Sequence, residues 1–258
     1  MLTHKINTAF FTVSLLLLVA LSQITEVRWY WFIALFLLWF IITGAGSLLI
    51  GMQYHMKAHL RSNDHTTRQV ALTFDDGPTP FTPRVLDILA ANQVKATFFC
   101  IGQQIEKHPE ILQRIVDEGH IVGNHSFTHS EKIGFFSRDE IIAEIASTDK
   151  LIAKIIGKKT SCYRPPFGAT SPSIARALKA TRHAVIGWNI RSLDTKISSE
   201  QKILSRIMNR LSPGSIILLH DTSDKTVSVL EQLLVILRNK NYSAVTIEQL
   251  LKINAYEN

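Results

Sequence analysis

Cysteine is scarce in this chain: only Cys100 and Cys162 occur among 258 residues. Both follow apolar stretches, so we expect buried thiols, and a disulfide between them is an open alternative. A single pair of cysteines does not identify the redox compartment. The chain also lacks repeats and low-complexity segments, and its length suits one sizeable domain with an appendage.

The chain carries a formal charge of +7 but lacks an arginine–aromatic patch. A nucleic-acid-binding domain concentrates its basic residues on one face or stripe, whereas here they are spread along the chain. Lys57, Arg61 and Arg68 follow the apolar N-terminal segment, where anionic lipid would attract them. We therefore expect no nucleic-acid partner.

Charge is also lacking in the first fifty residues, which carry only Lys5, Glu26 and Arg28. Residues 6–24 and 29–51 form two apolar runs, and each is close to the roughly 20 residues that a membrane-spanning helix needs. Aromatic residues begin the second run, where an interfacial belt belongs. The pattern predicts a two-helix transmembrane hairpin over residues 1–52. The chain would then be an integral membrane protein with the lipid bilayer as a partner.

Two alternatives to this hairpin stay open. Lys5 precedes the first run and Ala20–Leu21–Ser22 is rich in small residues, as in a cleaved signal peptide, although the second run would still anchor the chain. A buried hairpin in a soluble protein is the other alternative. Basic residues flank the two ends of the hairpin more than its turn, which weakly favours cytoplasmic ends. The membrane side of the following domain stays open.

Residues 53–68 are polar and predict a linker, and residues 69–258 predict one α/β domain. Strand-like runs rich in β-branched and aromatic residues alternate with segments that have apolar residues at helical spacing. The predicted strands are 69–74, 95–102, 120–123, 160–164, 183–190, 214–220 and 242–246. The predicted helices are 83–93, 108–119, 137–157, 171–180, 199–211 and 224–240. This alternation predicts parallel strands joined by crossover helices, in an open sheet or a barrel.

Polar and charged side chains follow these predicted strands. In chain order they are Asp75, Asp76, His125, His129, Arg164, Asp194, His220 and Asp221. The carboxyl ends of parallel strands converge on one face, where active sites form, so we expect these residues to meet. Asp221 is the exception, because its position predicts a cap for the helix that follows. We leave it outside the catalytic set.

Two histidines four residues apart, His125 and His129, can ligate one metal ion. His55 and His59 have the same spacing but no strand-end carboxylate, so we interpret them as surface histidines. Two histidines with one carboxylate leave positions for water and substrate, and a divalent ion held there polarises a carbonyl and acidifies its bound water. One aspartate of the adjacent pair suffices as a ligand, and the other can accept the proton of that water.

The adjacent aspartates, Asp75 and Asp76, need different environments for these two tasks. Successive side chains of an extended strand point to opposite sides. We therefore expect strand alternation to turn one carboxylate to the water and the other to the metal.

These residues lie in five segments whose order resembles that of the polysaccharide deacetylases of the NodB-homology group, carbohydrate esterase family 4. The segments are TFDDG (73–77), HSFTH (125–129), RPPFG (164–168), WNIRSLDT (188–195) and LLHD (218–221). The resemblance covers roughly residues 69–250 and leaves the hairpin outside. One position departs from the family: many relatives have tryptophan where this chain has Thr195, which removes an aromatic surface for sugar stacking.

The resemblance implies a distorted (β/α) barrel with one divalent metal ion, most commonly Zn²⁺, with Co²⁺ and Ni²⁺ as alternatives. It implies four catalytic roles: Asp75 as general base, His220 as general acid, Arg164 orienting Asp75, and Asp194 tuning His220. It implies three metal ligands, Asp76, His125 and His129. The implied substrate pocket contains Pro166, Phe167, Trp188 and Leu218.

The resemblance and the hairpin together predict a membrane-anchored, metal-dependent hydrolase. It would remove N-acetyl or similar N-acyl groups from an amino sugar in a glycan, with metal-bound water attacking the amide carbonyl. Its partner would then be an N-acetylated glycan. The alternative is a deacetylase or deformylase of a lipid-linked amino sugar. A carbohydrate-binding relative that has lost catalysis is less favoured, because every catalytic position is filled.

Overall fold

The computed structural model of the protein describes residues 2–64 and 66–257. Met1 and Asn258, at the ends of the predicted hairpin and domain, and His65 of the predicted linker lie outside the described residues.

Two long apolar helices come first and an α/β domain follows. The apolar helices are α1 (His4–Ser22) and α2 (Tyr30–Leu48). The strands of the domain are β1 (Gln69–Asp75), β2 (Thr97–Cys100), β3 (Ile121–Asn124), β4 (Cys162–Tyr163), β5 (Ala184–Val185), β6 (Ile190–Arg191), β7 (Ile216–His220) and β8 (Ser243–Val245). Its helices are α3 (Thr82–Ala91), α4 (Gly102–Lys107), α5 (Pro109–Asp117), α6 (Arg138–Ile156), α7 (Pro172–Thr181), α8 (Glu200–Met208), α9 (Asp224–Asn239) and α10 (Ile247–Leu251).

The strands form one parallel sheet in the order β5-β4-β3-β2-β1-β7-β6. The eighth strand, β8, pairs with the first half of β1, and β2 pairs with the second half. The edge strands β5 and β6 are separated by only residues 186–189 in the chain. The sheet must therefore curl until its edges approach each other, which confirms the predicted distorted barrel.

Local capping explains where several helices begin. The Ser137 hydroxyl accepts a hydrogen bond from the Glu140 N–H, and the Glu140 carboxylate accepts one from the Ser137 N–H. This reciprocal capping box satisfies two N–H groups that the first turn of α6 leaves without helical partners. The Ser171 hydroxyl caps α7 by accepting a hydrogen bond from the Ile174 N–H, without a reciprocal partner, and Pro109 occupies the first turn of α5. These predicted helix starts are confirmed.

The structure corrects the element predictions in two places. The predicted strand 183–190 is two strands, β5 and β6, at opposite edges of the sheet. Its middle turns away because the Gly187 N–H donates to the His59 carbonyl rather than to a sheet neighbour. Helices α4 and α10 were not predicted, since six and five residues are too few to show helical periodicity.

Alternation along β1 divides the core between the two faces of the sheet. Leu72 and Phe74 point outward and pack beneath the surrounding helices. Ala71, Thr73 and Asp75 occupy the alternate positions and face the barrel interior. This alternation places Asp75, the first aspartate of the adjacent pair, inside the barrel.

Both cysteines are buried and free. Cys100 packs in the cluster beneath the helices, whereas Cys162 packs in the cluster of the barrel interior. The expectation of buried thiols is confirmed, and the alternative of a disulfide is wrong for this fold.

Helices α1 and α2 pack against each other as a hairpin, and most of their large apolar side chains are exposed. Each has 19 residues and is long and apolar enough to cross a membrane by length and composition. The observed helices begin and end within about three residues of the predicted spans. The hairpin is thus a candidate membrane anchor.

The base of the hairpin is tied to the α/β domain. The Thr170 N–H and hydroxyl donate to the carbonyls of Ser47 and Gly46, each at 2.8 Å. Tyr54 is buried against Gly46, and its hydroxyl accepts a hydrogen bond of 2.7 Å from the Asn7 amide. These contacts hold the end of α2 next to the loop that follows β4.

The segment predicted as a linker also contacts the sheet. The His59 N–H donates to the Val185 carbonyl at 2.8 Å, so this segment pairs with the edge strand β5. Farther along, the Ser62 N–H donates to the Gly214 carbonyl before β7. Residues 59–62 therefore bridge the edge strand β5 and the residues that lead into β7.

Candidate active site

The adjacent aspartates lie at the carboxyl end of β1 and face different partners. Asp75 is the last residue of the strand, and its Oδ1 lies 2.7 Å from Nη1 of Arg164. Asp76 lies outside the strand in the left-handed region, with φ of 74°. Its Oδ1 lies 3.5 Å from Nε2 of His125 and 3.3 Å from Nε2 of His129. The expectation of strand alternation is wrong: the backbone of Asp76 is left-handed, and Oδ2 of Asp75 also lies 3.8 Å from Nε2 of His125.

Asp76, His125 and His129 form a compact group of candidate metal ligands. Their ligand atoms lie within 4.8 Å of one another. The Nδ1 of His125 lies 2.7 Å from the carbonyl oxygen of Arg164 and must donate to it, since a carbonyl only accepts. That bond fixes the ring with its other nitrogen, Nε2, 3.5 Å from Oδ1 of Asp76, as outer-sphere hydrogen bonds do for ligating histidines. Two imidazoles and one carboxylate fit a divalent cation such as Zn²⁺ and leave a position for substrate.

The electrostatics of this group suit a cation. Burial alone would raise the pKa of Asp76, but hydrogen bonding and charge from His125, His220 and His129 lower it to about 2. Burial and the neighbouring His125 lower the pKa of His129 to about 4. At neutral pH Asp76 is thus ionised and His129 is neutral, which are the forms that bind a metal ion.

The turn that carries His125 and His129 is held from below by two polar side chains. Glu144 of α6 accepts hydrogen bonds from the backbone N–H groups of residues 127 and 128, at 3.0 and 2.8 Å. The Asn124 side chain accepts one of 2.8 Å from the Ser126 N–H. Sequence reasoning missed Glu144. The signal that could have identified Glu144 is a carboxylate next to the apolar stripe of the predicted helix 137–157.

The second histidine pair is not part of a metal group. His55 lies 3.0 Å from the Ser47 hydroxyl through Nε2, and the backbone of His59 pairs with β5. Over residues 2–64 and 66–257, no cluster of three potential ligands includes either one.

Arg164 is fully buried in the barrel interior and forms a salt bridge with Asp75. Besides Asp75, its guanidinium donates to the Thr73 hydroxyl at 2.8 Å and to two backbone carbonyls, those of Ile186 and Gly187. Its charged plane also lies 4.0 Å from the centroid of the Phe99 ring. A buried guanidinium satisfied on several sides can hold a carboxylate in one position.

His220 and Asp194 form the second charged pair of the site. The Nδ1 of His220 donates to Oδ1 of Asp194 at 2.8 Å, and the backbone N–H of His220 donates to Oδ2 at 2.8 Å. Burial disfavours the imidazolium, but the hydrogen bond and charge of Asp194 outweigh it and raise the pKa of His220 to about 9. The Nε2 of His220 lies 4.0 Å from Oδ2 of Asp76, so its remaining N–H faces the candidate metal group.

Of the predicted pocket residues, Phe167 contacts this centre and Leu218 lies on the strand that leads to it. The Phe167 ring lies 4.5 Å from the His129 ring, centroid to centroid, and is half exposed. Leu218 is buried two residues before His220 on β7, so it faces the same side of the sheet.

Of the other two predicted pocket residues, Pro166 belongs to the segment RPPFG (164–168) and Trp188 packs against it. Trp188 lies so close to Gly168 that a Cβ there would come within 2.8 Å of the indole. Its ring also lies 5.6 Å from the Arg164 guanidinium carbon. Pro166 is buried in the short turn before Gly168. Trp188 and Pro166 thus support the loop that carries Phe167.

Asp221 does not cap the next helix, so that expectation is wrong. Helix α9 begins after Ser223, whose hydroxyl accepts a hydrogen bond within the first turn. Asp221 is instead fully buried against Gly77 and accepts a hydrogen bond from the Thr82 hydroxyl. Burial raises its pKa to about 7. It holds the loop that follows the aspartate pair.

Comparison with known proteins gives a consistent result. The family model for polysaccharide deacetylase matches residues 62–186. The chain is 32% identical to the peptidoglycan-N-acetylglucosamine deacetylase of Bacillus cereus over 200 residues, which cover 76% of this chain and 72% of that protein. It is 32% identical to the peptidoglycan-N-acetylmuramic acid deacetylase PdaA of Bacillus subtilis, over 71% of this chain and 72% of the relative.

A solved structure shares the fold. The Bc1960 peptidoglycan N-acetylglucosamine deacetylase superposes with a TM-score of 0.73 at 31% identity, covering 77% of this chain and 94% of that one.

Proposed function

The chain belongs to the polysaccharide deacetylase family, whose members are hydrolases acting on amide bonds, and we therefore propose that it removes the N-acetyl or a similar N-acyl group from an amino sugar. One observation carries the proposal. The buried Arg164–Asp75 pair and the Asp194–His220 pair both adjoin the group formed by Asp76 and its two histidines. A base, an acid and a cation site therefore face one space.

Asp76, His125 and His129 would hold the metal ion, and Zn²⁺ suits this donor set. When bound, the ion supplies Lewis-acid polarisation of the acyl carbonyl and makes a nearby water more acidic. The chain supplies the proton transfers. Asp75 accepts a proton from the attacking water: Arg164 engages its Oδ1, and its Oδ2 faces the candidate metal group, 3.8 Å from Nε2 of His125.

His220 completes the reaction. As water oxygen bonds to the acyl carbon, the carbon–nitrogen bond breaks and the Nε2–H of His220 protonates the departing nitrogen. The hydrogen bond and charge of Asp194 raise the pKa of His220 and so favour the charged imidazole, which is the form that can donate. The products are a carboxylic acid, acetate for an N-acetyl group, and the free amine of the sugar.

The proposal includes attachment to a membrane through α1 and α2. Both helices expose apolar side chains over their length, and the domain is tied to the base of the hairpin through Thr170. An attached catalytic domain would act on an amino sugar near the bilayer, either in a glycan polymer or on a lipid carrier.

The experiment is acetate release by the full-length protein purified in detergent. Peptidoglycan fragments and N-acetylglucosamine oligomers serve as substrates, with and without added Zn²⁺, and Asp75→Asn serves as the inactive control. We expect zinc-dependent release that the control lacks. A zinc-loaded protein that binds these glycans without releasing acetate from any amide-bearing sugar would instead indicate a binding protein.

A further inference from the structure

An apolar groove lies between the end of α2 and the active site. It has a volume of about 500 Å³, and its apolar wall includes Leu48, Phe135, Phe167 and Ala169. We call it the hairpin groove. Its size falls within the roughly 300–1,000 Å³ of small-molecule sites in proteins.

The side chains of this groove are unusually exposed for the domain. Among the described residues after Leu49, only three large hydrophobic side chains are exposed: Phe135 (93%), Phe167 (48%) and Val235 (54%). Two of the three line the hairpin groove. A contiguous exposed apolar patch on an otherwise polar domain marks a site for a protein, a membrane or an apolar ligand.

The two ends of the groove indicate whether it contacts a protein, a membrane or an apolar ligand. At one end Phe167 packs on His129, a candidate metal ligand, at 4.5 Å between ring centroids. At the other end lies Leu48, the last residue of α2, which is 72% exposed and is followed by the exposed Leu49. The groove therefore joins the apolar surface of the hairpin to the reacting centre.

This arrangement is held by the chain itself. Two hydrogen bonds from Thr170 to the carbonyls of Ser47 and Gly46 fix the end of α2 beside the groove. Ile50 is buried in the same cluster as residues of α6 and α7. The hairpin cannot swing away from the active site without breaking these contacts.

Resting on the function proposed above, we propose that the substrate is an N-acylated amino sugar carried on a membrane lipid. The first hydrocarbon units of the carrier occupy the hairpin groove while the sugar lies at Asp76, His125 and His129. A hydrocarbon chain that leaves the bilayer along α2 stays covered by apolar side chains as far as Phe167. A glycan polymer carries hydroxyl groups on every sugar, so contact with these apolar side chains would not stabilise it in the same way.

The test compares methyl and dodecyl glycosides of N-acetylglucosamine with the full-length, zinc-loaded protein, below the micelle-forming concentration of the dodecyl compound. Acetate release gives kcat/KM for each. Burying several methylene groups favours the dodecyl compound strongly, and we expect its kcat/KM to exceed that of the methyl compound by roughly tenfold or more.

Two variants assign this preference to the groove. Gly134→Trp places an indole at the groove, and the first atom of the new side chain is unobstructed, since a Cβ at Gly134 meets no heavy atom within 4 Å. Phe135→Ser removes apolar wall. Each should bring the dodecyl-to-methyl ratio close to one. Val235→Ser, at an exposed position on α9, is the matched control and should keep the wild-type ratio.

The outcomes separate this inference from the function itself. No acetate release from either glycoside or from glycan oligomers contradicts the proposed function. Release with equal kcat/KM for both glycosides, or a preference for soluble oligomers, leaves the function standing and overturns the lipid carrier. A dodecyl preference that survives Gly134→Trp and Phe135→Ser shows that the hydrocarbon binds elsewhere, and it also overturns the inference. If the variants lose the preference only when they also change the oligomeric state, the groove is a contact with a second copy of the chain. That result also overturns the inference.

Discussion

Arg164 and Asp75, 89 residues apart in the chain, form a salt bridge of 2.7 Å inside the barrel, and both side chains are buried. Arg164 enters from the end of β4 and Asp75 from the end of β1, with β2 and β3 between them in the sheet. Only a sheet that curls brings these two strand ends together. The pair thus connects the curvature of the fold with the orientation of the proposed base.

Arg164→Met should destabilise the protein by roughly 3–5 kcal/mol, because it leaves the buried Asp75 charge without a partner. The free energy of unfolding, measured by urea denaturation, reports the change. Arg84→Met is the control: its partner Asp224 is exposed, and such pairs contribute roughly 0–1 kcal/mol. Equal losses in the two variants would contradict the role assigned to Arg164.

Asp75→Asn should lower kcat by roughly 10²–10⁴-fold while the protein retains its metal, because the amide cannot accept a proton but still accepts the Arg164 hydrogen bond. Elemental analysis of zinc and acetate release are the two measurements. Asp76→Asn is the matched variant and should lose zinc. Zinc loss in Asp75→Asn with retention in Asp76→Asn would reverse the two roles.

Asp194→Asn should lower the pKa of His220 from about 9 toward the unperturbed value of roughly 6.5, because the two largest raising effects, a hydrogen bond and a charge, come from that carboxylate. Histidine-selective NMR titration of the metal-free protein measures this directly. At pH 7.5 the wild-type imidazole should be protonated and that of the variant mostly neutral. Asp139→Asn, an exposed carboxylate on α6, should leave the titration unchanged. An unshifted His220 in Asp194→Asn would refute the pairing.

Asp221→Asn should flatten the pH dependence of stability. Burial raises the pKa of Asp221 to about 7, whereas the ordinary value is 3.8. Between these values the folded state holds a proton that the unfolded state has lost, so the free energy of unfolding falls as pH rises through this window. Asparagine does not titrate, and above pH 7 the variant should be the more stable protein. Denaturation of the metal-free protein at several pH values checks this, with exposed Asp224→Asn keeping the wild-type slope.

Much of the site was predictable because its signals are local. Asp75, His125, Arg164 and His220 each follow a short β-rich run, and the alternation with helical segments implies parallel strands whose carboxyl ends share a face. The capping residues of α6 and α7 were predictable for the same reason, since a cap depends on a few neighbouring residues.

Other parts of the site depend on contacts between distant segments. Glu144 holds the turn at residues 127 and 128 only because α6 lies beneath it. The left-handed backbone of Asp76 and the packing of Asp221 against Gly77 have no signature in local composition.

The sequence by itself determined which chemical groups the protein has and at which strand ends they occur, and it determined the apolar character of α1 and α2. The tertiary structure alone decided the orientation of each group: Arg164 toward Asp75, Asp194 toward His220, and the end of α2 beside Phe167. The physical reason is that residue type and hydrophobic period are properties of neighbouring residues. Side-chain direction at a site depends on the curl of the sheet and on hydrogen bonds between residues far apart in the chain.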